Sequence, residues 1–403
     1  MIEWLYWVLL FLFFAGSFFL LHIPLPHDIA DRSTLAIAEF VLRMSNEYLG
    51  DFVENWFGSE IRNRLTRLIL SIGFLKSVKP PIEIKQRKLK IGGVPCITYE
   101  VANKKSDALL VYIHGGGWCV GQAGYYSESV YQIVLKSGIN AVSIDYRLAP
   151  EHVFPAGLDD CEAVLLELYH KGCEHFEFDK NKILVEGDSA GGNLTATVCQ
   201  RLHRKNENFV KAQILIYPVT HCFNFNSPSY QEYWKIYSGT ALLNPKHMAR
   251  WILLYLGIEC NKDTIKKLMN SQHLDTELEN SETYQEMIHY DKLPEKFKND
   301  HSPRARRDVD KELAEKFHKA ATNPDCSPIF GKCEGLPPAL VLTAGYDVLR
   351  DEGIQYAQKL EKSGVPTKWC HFPRAYHGLF NMPNSHARLE MIHEIVNFMA
   401  THI

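Results

Sequence analysis

Hydrophobic positions divide the chain into five stretches, each with its own period. Trp4 to Leu21 is an 18-residue run without a charged side chain, WLYWVLLFLFFAGSFFLL. Such a helix just spans a bilayer core of roughly 30 Å. In residues 22–93 apolar positions recur at helical spacing, first around Leu35, Ala38, Phe40, Val41 and Leu42, then over Ile61–Leu75. From residue 94 short apolar runs take over. CITYEV (96–101), ALLVYIH (108–114), NAVSIDY (140–146), KILVEG (182–187) and AQILIY (212–217) predict strands. Tyr125–Lys136, 157–171 and Ala190–His203 predict helices between them. The alternation lapses over 219–335, a charged and aromatic stretch containing Trp234, Tyr237, Trp251 and Tyr255. KFKND and RARRD, within 296–308, predict a solvated surface there. The pattern resumes in 336–403 with ALVLTAG (339–345), a helix over Asp351–Ser363, PTKWCHF (366–372) and a last helix over 385–401.

Alternating strands and helices imply an α/β fold, a mostly parallel sheet with helices on both faces. The expected organisation is a transmembrane signal anchor at 4–21 and an N-terminal helical cap segment at 22–93. A core in two parts, 94–218 and 336–403, is interrupted by a cap insertion at 219–335. Trp4, Tyr6 and Trp7 suit a membrane interface, and Pro24 and Pro26 end the first helix. Cleavage near Ala15-Gly16-Ser17, giving a secreted protein, is the rival reading; the run lacks a basic leader. The first basic residues beyond it are Arg32 and Arg43, so charge counting slightly favours the bulk of the chain inside.

Composition narrows the function classes. Of 403 residues 46% are hydrophobic and the net charge is −3, which excludes disorder as the dominant state and argues against a nucleic-acid partner. Ten cysteines without a CxxC pair are neither a disulfide scaffold nor a zinc site.

Candidate chemistry comes from two glycine-rich turns and two later loops. Gly187-Asp188-Ser189-Ala190-Gly191 fits G-x-S-x-G between a predicted strand and a predicted helix. That sharp turn lifts a serine hydroxyl out of the sheet, and crowded backbones leave the flanking positions to glycine. His114-Gly115-Gly116-Gly117-Trp118 ends another predicted strand and fits an oxyanion loop. Its donors would be the N–H groups of Gly116 and Gly117, with Ala190 completing the hole. GxGxxG fails because Val120 stands at the last glycine position, and no Walker A motif is present. A serine nucleophile needs an oriented base. Asp347 and His377 lie in loops just past later predicted strands, in the chain order Ser, Asp, His. The rival acid Asp351 reads as a helix cap, and the rival base His371 falls inside a strand. No metal or organic cofactor is needed.

HGGGW, Tyr146 to Glu151 (YRLAPE), GDSAGGNL (187–194), YDVLRDEG (346–353) and YHG (376–378) together resemble the hormone-sensitive-lipase branch of the α/β hydrolases. With the N-terminal run and the length, they resemble the arylacetamide deacetylase-like family within it. The resemblance implies a hydrolase of carboxylic esters or arylamides with Ser189, Asp347 and His377 as its triad. It also implies an endoplasmic-reticulum membrane anchor with a lumenal catalytic domain. The N-terminal run itself predicts contact with a lipid bilayer through its helix, and such attachment would suit a small lipophilic ester or amide as substrate. A neutral-lipid lipase and a silent ligand-binding relative remain alternatives. Arg147 and Glu151 are expected to tie the YRLAPE turn together, and Asp188 to orient backbone. The sequon Asn193-Leu194-Thr195 falls in a helix and is expected to be unmodified. Some relatives pair a cysteine at the Cys119 position with one before the YD motif; Ala344 and Gly345 stand there in this chain.

Overall fold

The computed structural model describes all residues except 1, 22, 74–78, 236–242, 299–307 and 384. Eight strands, β1 (Ile84–Ile91), β2 (Val94–Val101), β3 (Leu109–Ile113), β4 (Asn140–Ile144), β5 (Ile183–Asp188), β6 (Val210–Ile216), β7 (Ala339–Tyr346) and β8 (Thr367–Tyr376), form one sheet in the order 1-2-4-3-5-6-7-8. β2 is antiparallel to β1 and β4, and every other pairing is parallel.

Helices flank the sheet on both sides. The N-terminal segment supplies α1 (Ile2–Leu21), α2 (Arg32–Arg43) and α3 (Gly50–Gly73), with one π-helical turn between α2 and α3. α4 (Ser127–Ser137), α5 (Ala156–Lys171) and α6 (Ala190–Arg204) connect the central strands. Short helices α7 (Pro228–Lys235), α8 (Pro245–Leu256), α9 (Lys262–Met269), α10 (Thr276–Glu279) and α11 (Lys311–Ala321) build the insertion. α12 (Arg350–Lys362) and α13 (Arg388–Ala400) complete the chain.

Strand alternation sorts the core onto two faces. Leu109, Val111 and Ile113 of β3 pack with Leu158 and Val164 of α5 and Leu194 of α6. Leu110 and Tyr112 face the opposite way, among Val130 and Ile133 of α4 and Ile392 and Ile395 of α13. β3 and β4 are buried along their whole length, which is why their sequences read as continuous apolar runs. β1 corrects the expectation of a wholly helical segment over 22–93. Its sequence IKQRKLKI is an edge strand, buried at both ends and exposed or half-buried between. Lysines and arginine there hide the strand from a hydrophobic reading while keeping the free edge from pairing with another chain.

The predicted solvated stretch around 296–308 needs a second correction. Phe297 is buried and packs at 4.9 Å against the ring of His371; residues 299–307 lie outside the described residues, as does Tyr237. The predicted anchor is a helix, α1. Among the described residues no helix is long and apolar enough to cross a membrane, and the α1 side chains at 2, 9, 13 and 19–21 fall outside them. The structure supplies the helix and leaves the span to be argued from function.

Candidate active site

The site lies where β3, β5, β7 and β8 end on one rim of the sheet, as expected for an open α/β fold. β5 runs into α6 through Ser189, whose φ of 55° and ψ of −120° place an L-residue in a rarely occupied region. Three bonds hold the turn: Ser189 N–H donates to the Ile216 carbonyl at 2.8 Å, and the Ser189 carbonyl accepts from Asn193 N–H at 3.0 Å and Val219 N–H at 3.3 Å. The crowding expected at the flanking glycines is real. A Cβ on Gly191 would lie 2.0 Å from the Ile113 carbonyl oxygen, and one on Gly187 would lie 2.3 Å from that of Gly191.

The three residues predicted for acid, base and nucleophile come together. His377 Nε2 lies 3.0 Å from Ser189 Oγ, and its Nδ1 lies 2.9 Å from Asp347 Oδ2. Aspartate only accepts, so Nδ1 carries the proton and Nε2 is free to accept from the serine hydroxyl. Asp347 Oδ1 accepts from Leu349 N–H at 2.9 Å, which fixes the carboxylate plane. The Asp347 side chain is fully buried and that of His377 is 12% exposed. The relay is thus shielded behind the serine yet open on the imidazole side. Tyr217 packs its ring 4.7 Å from the imidazole.

The rivals are placed elsewhere. Asp351 is not the cap of α12, a position held by Leu349. It sits in the first turn, accepts from Ser229 N–H at 2.7 Å and pairs with Arg350. His371 lies within β8, with Nδ1 3.0 Å from Thr343 Oγ1.

The HGGG segment forms a tight loop after β3. Gly115 N–H donates to Asp188 Oδ1 at 2.9 Å, leaving Gly116 and Gly117 beyond that anchor. Cys119 and Val120 N–H both turn back onto the Gly116 carbonyl. Gly117 has φ of 57°, and a Cβ there would meet the Trp251 ring at 2.4 Å. The α8 tryptophan thus closes on the loop from the insertion. Ala190 N–H sits at the first position of α6, where no intrahelical acceptor exists and the helix dipole favours negative charge.

His114 is a prop. Its ring is fully buried, stacked 4.4 Å from Tyr146 and 5.3 Å from Tyr126, with Nδ1 2.7 Å from the Gly115 carbonyl. Burial lowers its pKa and so disfavours the charged ring. Asp188 accepts from Tyr112 Oη at 2.6 Å and Asn381 Nδ2 at 2.8 Å besides Gly115 N–H. Burial raises its pKa against the pull of these donors. It joins elbow, oxyanion loop and the turn after His377 in one knot.

Arg147 and Glu151 tie the YRLAPE turn outward and not to each other. Arg147 makes a forked pair with Asp160 of α5, and Glu151 pairs with Arg67 of α3. Arg67 also donates to the Cys119 carbonyl at 2.7 Å and the Ala149 carbonyl at 2.7 Å, while Asn63 donates to Cys119 at 3.2 Å. Neither Arg67 nor Asn63 belongs to a motif, so the sequence carried no sign that α3 backs the oxyanion loop. Asn193 is fully buried and donates to the Val219 and Cys326 carbonyls, which leaves no room for a glycan. Cys119 is a free thiol, buried, with its sulfur toward the Trp251 carbonyl. Among the described residues no His, Cys, Asp and Glu side chains converge as three or more potential metal ligands.

A sheet of this order carrying a serine elbow, a histidine and a buried aspartate defines an α/β hydrolase. The family model for the alpha/beta hydrolase fold matches residues 110–281 and 287–381, and the chain belongs to that family. It is similar to arylacetamide deacetylase of Bos taurus, at 32% identity over 89% of each chain. It is also similar to neutral cholesterol ester hydrolase 1 of Rattus norvegicus, at 30% identity over 92% of each. Among solved structures, a Pyrobaculum calidifontis esterase superposes with a TM-score of 0.63 at 25% identity, over 94% of this chain and 99% of that one.

Proposed function

We propose that the chain is a membrane-anchored serine hydrolase that cleaves carboxylic esters, and arylamides, of lipophilic substrates through an acyl-enzyme. The observation that carries this reading is the continuous relay from Ser189 Oγ through His377 to Asp347. His377 Nε2 takes the serine proton as Oγ attacks the substrate carbonyl. Asp347 holds the tautomer and stabilises the imidazolium. The N–H groups of Gly116, Gly117 and Ala190 receive the oxyanion, a contribution of about 2.7–4 kcal/mol per donor. The protonated imidazole then hands its proton to the leaving alcohol or amine. Water repeats the sequence on the acyl-enzyme.

The relatives, by name a deacetylase and a cholesterol ester hydrolase, both remove an acyl group and support that substrate class. Exposed apolar side chains support attachment to a bilayer. Among the described residues, every large hydrophobic side chain recorded as exposed lies between Trp4 and Ile72, except Ile82, Val153 and Leu389. Trp4, Trp7 and Phe11 mark α1, Ile37 and Val41 lie one turn apart on α2, and Phe52 and Trp56 one turn apart on α3. The proposed placement is the endoplasmic-reticulum membrane, with the catalytic domain lumenal; it rests on the family resemblance. Resistance of the catalytic domain to protease in sealed microsomes is the result expected, and digestion without detergent would reverse the orientation.

A fluorophosphonate probe tests the chemistry. The wild type is expected to label, and Ser189→Ala and His377→Ala to lose labelling while remaining folded. A folded wild type that never labels would move the reading to a silent ligand-binding relative.

A further inference from the structure

We propose that Cys222 and Cys326 are a disulfide-forming pair that covalently closes the neck of the insertion. Their sulfurs are 3.8 Å apart although the residues lie 104 positions apart in the chain. Both are buried, and theirs is the one thiol–thiol contact recorded among the described residues. Cys222 stands just after β6, where the chain leaves the sheet, and Cys326 where it returns.

The backbone already aligns the two segments. Ile329 N–H donates to the Thr220 carbonyl at 3.2 Å. Asn193, one turn past the nucleophile, donates to the Val219 carbonyl at 3.0 Å and to the Cys326 carbonyl at 2.9 Å. Both ends of the neck therefore hang on α6, the helix that follows Ser189. A disulfide has its sulfurs about 2.05 Å apart, so roughly 1.8 Å must close between the two side chains.

The chemistry needs a disulfide oxidant, either a small-molecule disulfide or the disulfide of an oxidoreductase. One cysteine thiolate attacks it, forms a mixed disulfide and releases one thiol. The second cysteine then attacks the protein sulfur of that mixed disulfide and expels the other thiol. Two protein S–H bonds become one S–S bond, and the oxidant is reduced to two thiols. Burial makes folding the moment of reaction, before the neck is covered. Afterwards the same burial shields the bond from reductants. The bridge fixes the two ends of residues 223–325 relative to Ser189, on the side from which Trp251 reaches the oxyanion loop.

The test uses the full chain, folded either with oxidised glutathione or under a phosphine reductant, alkylated and mapped without reduction. The oxidised sample is expected to yield a peptide pair linked through Cys222 and Cys326, two hydrogens lighter than the sum. The melting temperature is expected to rise about 5 °C on oxidation, and the rise to vanish in the Cys222→Ser/Cys326→Ser double variant. Full alkylation of both thiols after oxidative folding, or a linkage that uses another cysteine and leaves this pair free, would overturn the proposal. If the double variant does not fold, the wild-type map alone decides. Fluorophosphonate labelling in the same samples reads the activated serine separately, so loss of labelling would count against the hydrolase reading and not against the bridge.

Discussion

At the scale of single residues, chemistry at this site depends on which carboxylate faces the imidazole. Asp347 accepts from His377 Nδ1, whereas Asp351, four positions on, accepts from Ser229 N–H and pairs with Arg350. Asp347→Asn is expected to lower kcat by about 10⁴ at unchanged stability, because an amide favours the wrong tautomer. Asp351→Asn should instead lower the melting temperature and spare kcat. Titration of kcat and thermal unfolding for the two variants separates the roles, and equal losses of kcat would refute the assignment. Buried histidines with lowered pKa values weaken the fold in acid, His221 and His273 among them. Burial holds the pKa of His221 and His273 down to about 4, against about 6.5 when unfolded. The unfolded chain therefore binds more protons between those values, and stability falls as the pH drops through that window. Each group costs about 2 kcal/mol at pH 5. Urea unfolding of His273→Gln should show a shallower loss from pH 7 to pH 5 than the wild type; an identical slope would rule this out. The three residues that the structure brings together, Ser189, Asp347 and His377, were legible in the sequence because each follows a strand inside a local motif. Tyr112, Asn381 and Arg67, which position them, were not. A lone tyrosine in a strand or arginine on a helix carries no pattern, and their meaning comes from contacts across 76, 193 and 52 positions.

At the scale of elements, the central strands β3, β4 and β5 were legible because burial on both faces writes them as apolar runs, and β1 was missed because an edge strand is written in charge. The helices around the site are tied by polar contacts that hydrophobic periodicity cannot reveal. Glu54 of α3 accepts from Arg250 of α8 at 2.9 and 2.8 Å, from Arg62 at 2.8 Å, and from Ser59. Burial alone would raise its pKa, but Arg250, Ser59 and Arg62 hold it down to about 2. The pairing fastens the N-terminal helices to the insertion. Glu54→Ala leaves the buried Arg250 guanidinium without its carboxylate, while Arg62 keeps Asp51, and should cost about 3–5 kcal/mol. The measurement is the denaturant midpoint at pH 7, and a loss below about 1 kcal/mol would show that the cluster relaxes into solvent.

At the scale of the whole molecule, the matched hydrolase region begins at residue 110, yet the rim of the site is assembled from both sides of it. α3 holds the oxyanion loop through Asn63 and Arg67, and α8 packs Trp251 against Gly117. A chain shortened to begin at residue 80 would keep all eight strands. It should nevertheless lose most ester hydrolysis with a largely retained circular dichroism spectrum, and full activity in that form would show that α3 is dispensable. The Arg67 contact has a bearing on divergence. A substitution in the leader, far from every motif that defines the family, is one hydrogen bond from the loop that receives the substrate oxygen. Two relatives with matching elbows and triads could thus part in substrate preference through their first seventy residues, and exchanging those residues between them would carry the preference across.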